Sequence, residues 1–285
     1  MPEHVRAELP GLANRFDTFV FDLDGVVYRG KRALPHAVEV LNLLLDSGRQ
    51  VFYLTNNSGY TREEYAARLQ ALGVPAHPEQ FITSAWATAL YLQRALPAGA
   101  RLFVVGESGL KEELQTAGFT LAESVEPQIP DAVVVGIDRN FTYARLAQAQ
   151  YAILNGARFV ATNADATYPA EDRLMPGAGA LVAAVAAATE RRPVVIGKPN
   201  PQILQPFIDR GVIQPERTLL VGDRLDTDIA LANTLHIPCA LVLTGVSTRE
   251  DVECAPLEQL PQWVLNHLGE LLGDAVDSLL VHPVP

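Results

Sequence analysis

Residues 18–25 read Thr18-Phe19-Val20-Phe21-Asp22-Leu23-Asp24-Gly25, an apolar run that ends in two carboxylates two positions apart and a glycine. Such a run reads as a buried strand. Side chains at i and i+2 of an extended segment point the same way. Asp22 and Asp24 can therefore share one metal ion or one phosphorus centre, with Gly25 allowing a close backbone turn. Two adjacent like charges are unfavourable unless a cation lies between them. Taken alone, the same residues could open an ordinary surface turn, in which Asp and Gly are common.

Repetition weighs against the turn. An apolar run followed by polar residues recurs in QVFYLTNNSG (50–59), RPVVIGKPNP (192–201) and RTLLVGDRLDTDI (217–229). Four strand-like runs thus end in Asp, Thr/Asn, Lys and Asp. Open parallel α/β sheets bind ligands at the carboxyl ends of their strands, so these four ends are expected to converge.

Composition narrows the class. The chain has 285 residues, enough for about two domains. Its 48% hydrophobic content argues against disorder. A net charge of −11 disfavours nucleic acid as a partner and means that an anionic substrate needs a local cation. Two cysteines, Cys239 and Cys254, imply no disulfide framework; both read as core fillers in a reducing cytoplasm. The N-terminus shows no basic start with an apolar stretch behind it, so no signal peptide is expected. The Ala-rich run from Gly177 to Thr189 is too short to cross a membrane, which takes about 20 residues.

Along the chain, the first strand (18–24) precedes a helical pattern from Pro35 to Ser47, with Gly48 as its stop. A strand at 51–55 leads through Thr61, an N-cap candidate with Glu64 three residues on, into a helix ending near Gly73. Residues 81–191 then carry their own helix (84–95) and strand candidates at 100–106, 131–137 and 157–163. The expected domains are a core in two parts, 1–80 and 192–285, around an α/β insert at 81–191. The chain is expected to rejoin the core sheet at Val194 and Leu219, with a fifth core strand at 238–245.

FDLDGVVY, LTNNSG, GKPNP and VGDRLDTDI, in that order and with a large insert between the second and third, resemble the four motifs of the haloacid dehalogenase superfamily. The likeness is closest to its capped phosphatases of the NagD and p-nitrophenyl phosphatase type, with a C2-type cap. The resemblance implies a Rossmann-like parallel-sheet core and a mobile α/β cap formed by 81–191 that selects the substrate. It implies a Mg²⁺-dependent phosphatase acting on small phosphorylated metabolites through an aspartyl-phosphate, without nucleic-acid or membrane partners, and a homodimer through the cap. A phosphomutase of the same superfamily and a non-catalytic regulator that binds phospho-ligands are the alternatives; Asp24 argues against the regulator, which has no use for it.

Carried over by motif, Asp22 is the nucleophile and Asp24 the general acid/base. The implied Mg²⁺ ligands are the Asp22 side chain, the Asp24 backbone carbonyl and Asp223, with Asp228 a weaker ligand or simply an acidic helix start. Thr55 and Asn56 would hold the transferring phosphoryl group, and Lys198 would neutralise its charge. In the insert, ATNADATYP (161–169) matches a TN-x-D stretch of similar proteins, which puts Asn163 and Asp165 near the substrate or between cap and core. The other reading of Asn163 is an Asx-type turn in a polar loop, 163–173, that also holds Tyr168 and Arg173. The glycines of VVGESG (104–109) could cradle a phosphate, although a strand-Gly-helix joint is mostly architecture.

Overall fold

The computed structural model describes residues 8–169 and 173–273. Residues 1–7, on which the expectation of no signal peptide partly rests, lie outside the described residues. So do 170–172, in the polar loop at 163–173, and 274–285. The chain folds into two compact units. One comprises the described residues up to Leu54, Ala66–Phe81 and the chain from Gln205 onward; the other comprises Thr55–Tyr65 and Ile82–Leu204.

The first unit is built on a sheet with the strand order Trp263–Leu265, Cys239–Val242, Thr218–Gly222, Thr18–Asp22, Gln50–Thr55, Phe81–Thr83. From Trp263–Leu265 to Gln50–Thr55 every neighbouring pair is parallel. Thr18–Asp22 is buried along its whole length, as a central parallel strand covered on both faces must be. Phe19 and Phe21 stack at 6.0 Å between ring centroids, and Tyr53 stacks on Phe81 at 4.8 Å. Burial raises the Tyr53 hydroxyl far above the usual phenol range.

The chain leaves Thr18–Asp22 toward Gln50–Thr55 on one side and reaches Thr218–Gly222 on the other. The strand order therefore reverses between Thr18–Asp22 and Thr218–Gly222. Loops leaving two such strands diverge and open a crevice at their carboxyl ends. The pairing of Phe21 with Val221 puts Asp22 level with Gly222, one residue before Asp223.

The second unit has a parallel sheet of its own, in the order Val194–Val195, Arg158–Ala161, Ala132–Val135, Arg101–Val105, Thr120–Ala122. Phe103, Val105, Val133, Val135 and Phe159 pack with Ala149 and Ile153 of the Tyr143–Leu154 helix and with Val182 and Val185 of the Ala178–Thr189 helix.

Several local signals act as expected. Thr61 and Glu64 form a reciprocal cap on the Arg62–Ala71 helix: the Thr61 N–H donates to Glu64 Oε2 (2.8 Å) and the Glu64 N–H to Thr61 Oγ1 (3.1 Å). Gly48 follows the Ala37–Asp46 helix with a φ of 77°, a conformation that favours glycine.

Three readings are corrected. Val194 does not return the chain to the first sheet: Val194–Val195 pairs with Arg158–Ala161 at the edge of the second. A two-residue strand carries too little pattern to specify its sheet. Cys254 is exposed and fills no core, whereas Cys239 is buried and burial pushes its thiol up to about 12. The polar loop is in part an antiparallel ribbon, Thr167–Pro169 against Leu174–Pro176. Among the described residues no helix is long and apolar enough to cross a membrane.

Candidate active site

At the strand-order reversal, carboxylate oxygens of Asp22, Asp223 and Asp228 all lie within 4.8 Å of one another. All three residues are buried, at 8%, 2% and 0% exposure. At an effective dielectric of about 20, two unit charges about 5 Å apart repel by roughly 3 kcal/mol. Three carboxylates in this arrangement suit a bound cation. Closely grouped hard oxygen donors suit a hard divalent cation such as Mg²⁺ or Ca²⁺. The carboxylate of Asp24, two residues beyond Asp22 and partly exposed, stands outside this group.

Glycines make the group possible. A Cβ at Gly25 or at Gly245 would run into the Asp223 side chain, and one at Gly222 would run into Asp228. Gly25 also has a φ of 86°, which favours glycine. The loop after Cys239–Val242 fixes Asp223: the Val246 N–H donates to its Oδ2 (2.8 Å) and the Ser247 N–H to its backbone carbonyl (3.0 Å). Asp228 Oδ2 accepts the Arg224 N–H at 3.2 Å, which ties it to the turn after Asp223. The sequence reading passed over Gly245, Val246 and Ser247. The only local signal was Gly245, the glycine that ends the run expected as the fifth core strand, 238–245.

The second unit gathers the other expected residues around Asn56. Thr55 and Asn56 follow Leu54, whose register partner is Asp22. Thr55 Oγ1 accepts the Asn57 N–H at 3.1 Å. The Asn56 side chain grips the backbone of Lys198: Oδ1 accepts the Lys198 N–H (2.8 Å), and Nδ2 donates to the Lys198 carbonyl (3.1 Å). Nδ2 also donates to both carboxylate oxygens of Asp165, at 3.1 and 3.2 Å. The Asn56 carbonyl accepts from Ser84 Oγ (2.6 Å) and Asn163 Nδ2 (2.7 Å). Lys198 is only 4% exposed, so stripping its N–H of this acceptor would cost about 1–3 kcal/mol. Gly197 is needed here as well, since a Cβ would sit 2.6 Å from Asn56 Oδ1.

Asn163 does make an Asx-type turn, its Oδ1 accepting the Asp165 N–H at 3.1 Å. Its amide nitrogen is directed at Asn56. The glycines of VVGESG serve packing: a Cβ at Gly109 would strike the backbone of Tyr60, and one at Gly106 would strike Leu110. Tyr168, on the ribbon, accepts from Arg139 Nε at 3.1 Å, and Arg139 also pairs with Glu107.

The family profile described as haloacid dehalogenase-like hydrolase matches residues 19–120, and one described as HAD-hydrolase-like matches 195–271. The glycerol-3-phosphate phosphatase of Gallus gallus is 39% identical over 289 residues, covering 92% of this chain and 92% of the relative. The chain belongs to the haloacid dehalogenase-like hydrolases. This hydrolase is also 32% identical over 283 residues to the 4-nitrophenylphosphatase of Schizosaccharomyces pombe, with 92% and 95% coverage. A solved structure, the glycerol phosphate phosphatase of Mycobacterium tuberculosis in complex with magnesium, superposes with a TM-score of 0.87 at 37% identity; the match covers 97% of this chain and 82% of that one. A second structure of that enzyme is in complex with calcium. The haloacid dehalogenase-like hydrolase thus has the NagD-like, p-nitrophenyl phosphatase-like kinship that its four motifs suggested.

Proposed function

We propose that this hydrolase is a Mg²⁺-dependent phosphatase that cleaves small phosphate monoesters through phospho-Asp22. The observation that carries the reading is the buried group of Asp22, Asp223 and Asp228 at the strand-order reversal of a family sheet. Asp22 attacks phosphorus, an Oδ–P bond forms and the P–O bond to the leaving group breaks. Asp24 donates its proton to the departing oxygen. Water then attacks phosphorus and gives its proton to Asp24, which frees inorganic phosphate and regenerates the Asp22 carboxylate. Asp22, Asp223 and Asp228, with the Asp24 backbone carbonyl, are the residues that would hold Mg²⁺. Bound there, the ion would neutralise the grouped carboxylates and polarise the phosphoryl oxygens.

Thr55 and Lys198 are assigned to the phosphoryl group, Asn56 to their support, and the 81–191 insert to the choice of ester. Relatives named for glycerol 3-phosphate and 4-nitrophenyl phosphate make these the first two substrates to try, ahead of phosphoglycolate and sugar phosphates. The same proposal places the protein in the cytoplasm as a homodimer paired through the insert. The Tyr143–Leu154 helix offers an apolar exposed face for this, with Tyr143, Tyr151 and Leu154 at 84%, 43% and 55% exposure.

The test is phosphate release from both esters with Mg²⁺ or with EDTA, together with mass-spectrometric trapping of the phosphorylated residue. Metal-dependent turnover and phosphate on Asp22 are expected. Undiminished turnover in EDTA, or phosphate trapped on another residue, would overturn the proposal.

A further inference from the structure

We infer that Asn56 is a positioning residue that sets Lys198, and that Asp165 acts on the reaction by orienting Asn56. The inference rests on the phosphatase reading above, in which Lys198 meets the phosphoryl group. One amide holds Lys198 by both of its backbone polar groups, at 2.8 and 3.1 Å. A lysine side chain is long and flexible, so a fixed Cα removes part of the freedom it would otherwise lose on meeting an anion.

The amide's orientation matters, because only Oδ1 can accept the Lys198 N–H and only Nδ2 can donate to its carbonyl. Asp165 reinforces this choice. An ionised carboxylate only accepts, so both of its oxygens, 3.1 and 3.2 Å away, require Nδ2 to face them. That in turn directs Oδ1 at Lys198. The Asn56 backbone is held in place by Ser84 and Asn163, whose donors converge on its carbonyl. Asp165, Asn56 and Lys198 therefore form a relay of geometry that spans residues 56 to 198 within one compact unit. Asp165 works here through an acceptor position toward Asn56 Nδ2.

Single and double variants separate this from direct substrate contact. With saturating Mg²⁺ and p-nitrophenyl phosphate, Lys198→Ala should lower kcat about a hundredfold. Asn56→Ala should lose at least about tenfold, and Asp165→Ala less than that. The double variant Asn56→Ala/Lys198→Ala should be no slower than Lys198→Ala alone, because a residue that acts through Lys198 has nothing left to act on. Asp165→Asn, which keeps an acceptor for Nδ2, should recover part of what Asp165→Ala loses. All Asn56 and Asp165 variants should depress p-nitrophenyl phosphate and glycerol 3-phosphate turnover by equal factors, since the phosphoryl group is common to both.

Additive losses in the Asn56/Lys198 double variant would overturn the inference. So would an Asn56→Ala protein of lowered Tm but normal kcat, or an Asp165 variant that changes the ratio of the two esters. A near-normal Lys198→Ala would instead sink the phosphatase reading's role for Lys198, and the single-variant rates alone distinguish that case.

Discussion

The two residue groups that carry the candidate chemistry are opposites in electrostatic design. Around Asp22, three buried carboxylates are held together by glycines and backbone donors, within 4.8 Å of one another. Around Asn56, a neutral amide has each polar end matched to a partner in the chain, at 2.8 to 3.2 Å. The first groups like charges in a way that suits a bound cation; the second matches each polar end within the chain. Removing a charge from the first should therefore relieve the fold while ending the reaction. Removing a partner from the second should harm both.

Asp22→Asn tests the first half and should have the largest effect. Loss of the attacking carboxylate should lower kcat by at least about a thousandfold, the scale of losing a nucleophile. In EDTA the same variant should melt higher than wild type. Relief of about 1–3 kcal/mol of like-charge repulsion corresponds to several degrees in Tm for a domain of this size. Calorimetry in EDTA decides this; a lower Tm for the variant would mean that the three carboxylates are not charged together.

Lys198→Ala keeps the clamp of the second group and removes only its charge, for a smaller loss in rate, about a hundredfold in kcat. Its backbone bonds to Asn56 survive the substitution, so its Tm should fall less than that of Asn56→Ala. A large fall in Tm would show that the buried ammonium, rather than the backbone clamp, stabilises this region.

The two groups were unequally readable in the sequence. Asp22 and Asp223 each follow an apolar run of strand length, and both runs became buried parallel strands whose order reverses between them. Asn56 was readable as a polar strand end, but its partners were not. They lie 109 and 142 positions away, and no local pattern encodes such closure. The three-residue strands Phe81–Thr83, Thr120–Ala122 and Trp263–Leu265 are too short for periodicity to register. Gly245 escaped for a related reason: its importance is the absence of a Cβ against a side chain 22 residues earlier in the chain.

Gly245→Ala sharpens the contrast at about a tenfold effect. The added methyl would press on the Asp223 side chain and move it away from Asp22 and Asp228. The Mg²⁺ concentration for half-maximal activity should rise about tenfold, equivalent to about 1.4 kcal/mol. Excess Mg²⁺ should restore much of kcat. An unchanged Mg²⁺ requirement in an activity titration would remove Asp223 from the metal site, whatever the effect on Tm.

The smallest expected effect comes from a site intermediate between the two. Glu113 is a buried carboxylate, as in the first group, but its cation is supplied by the chain: Arg62 Nε donates to its Oε1 at 2.6 Å and Nη2 to its Oε2 at 3.3 Å. Arg62 also lies over the Trp86 ring, 4.3 Å from its centroid. Burial nonetheless wins and raises the Glu113 carboxyl above its ordinary value, with Arg62 opposing. The folded state therefore holds this proton to higher pH than the unfolded chain does. The stability it contributes is full below the unfolded value near 4.5 and is lost as pH rises through the folded value. Glu113→Gln cannot titrate, so the Tm of wild type minus that of the variant should fall between pH 4 and pH 7. Each kcal/mol of this linkage moves Tm by about 2–4 °C. A difference that grows with pH would mean that Arg62 outweighs burial at this carboxylate.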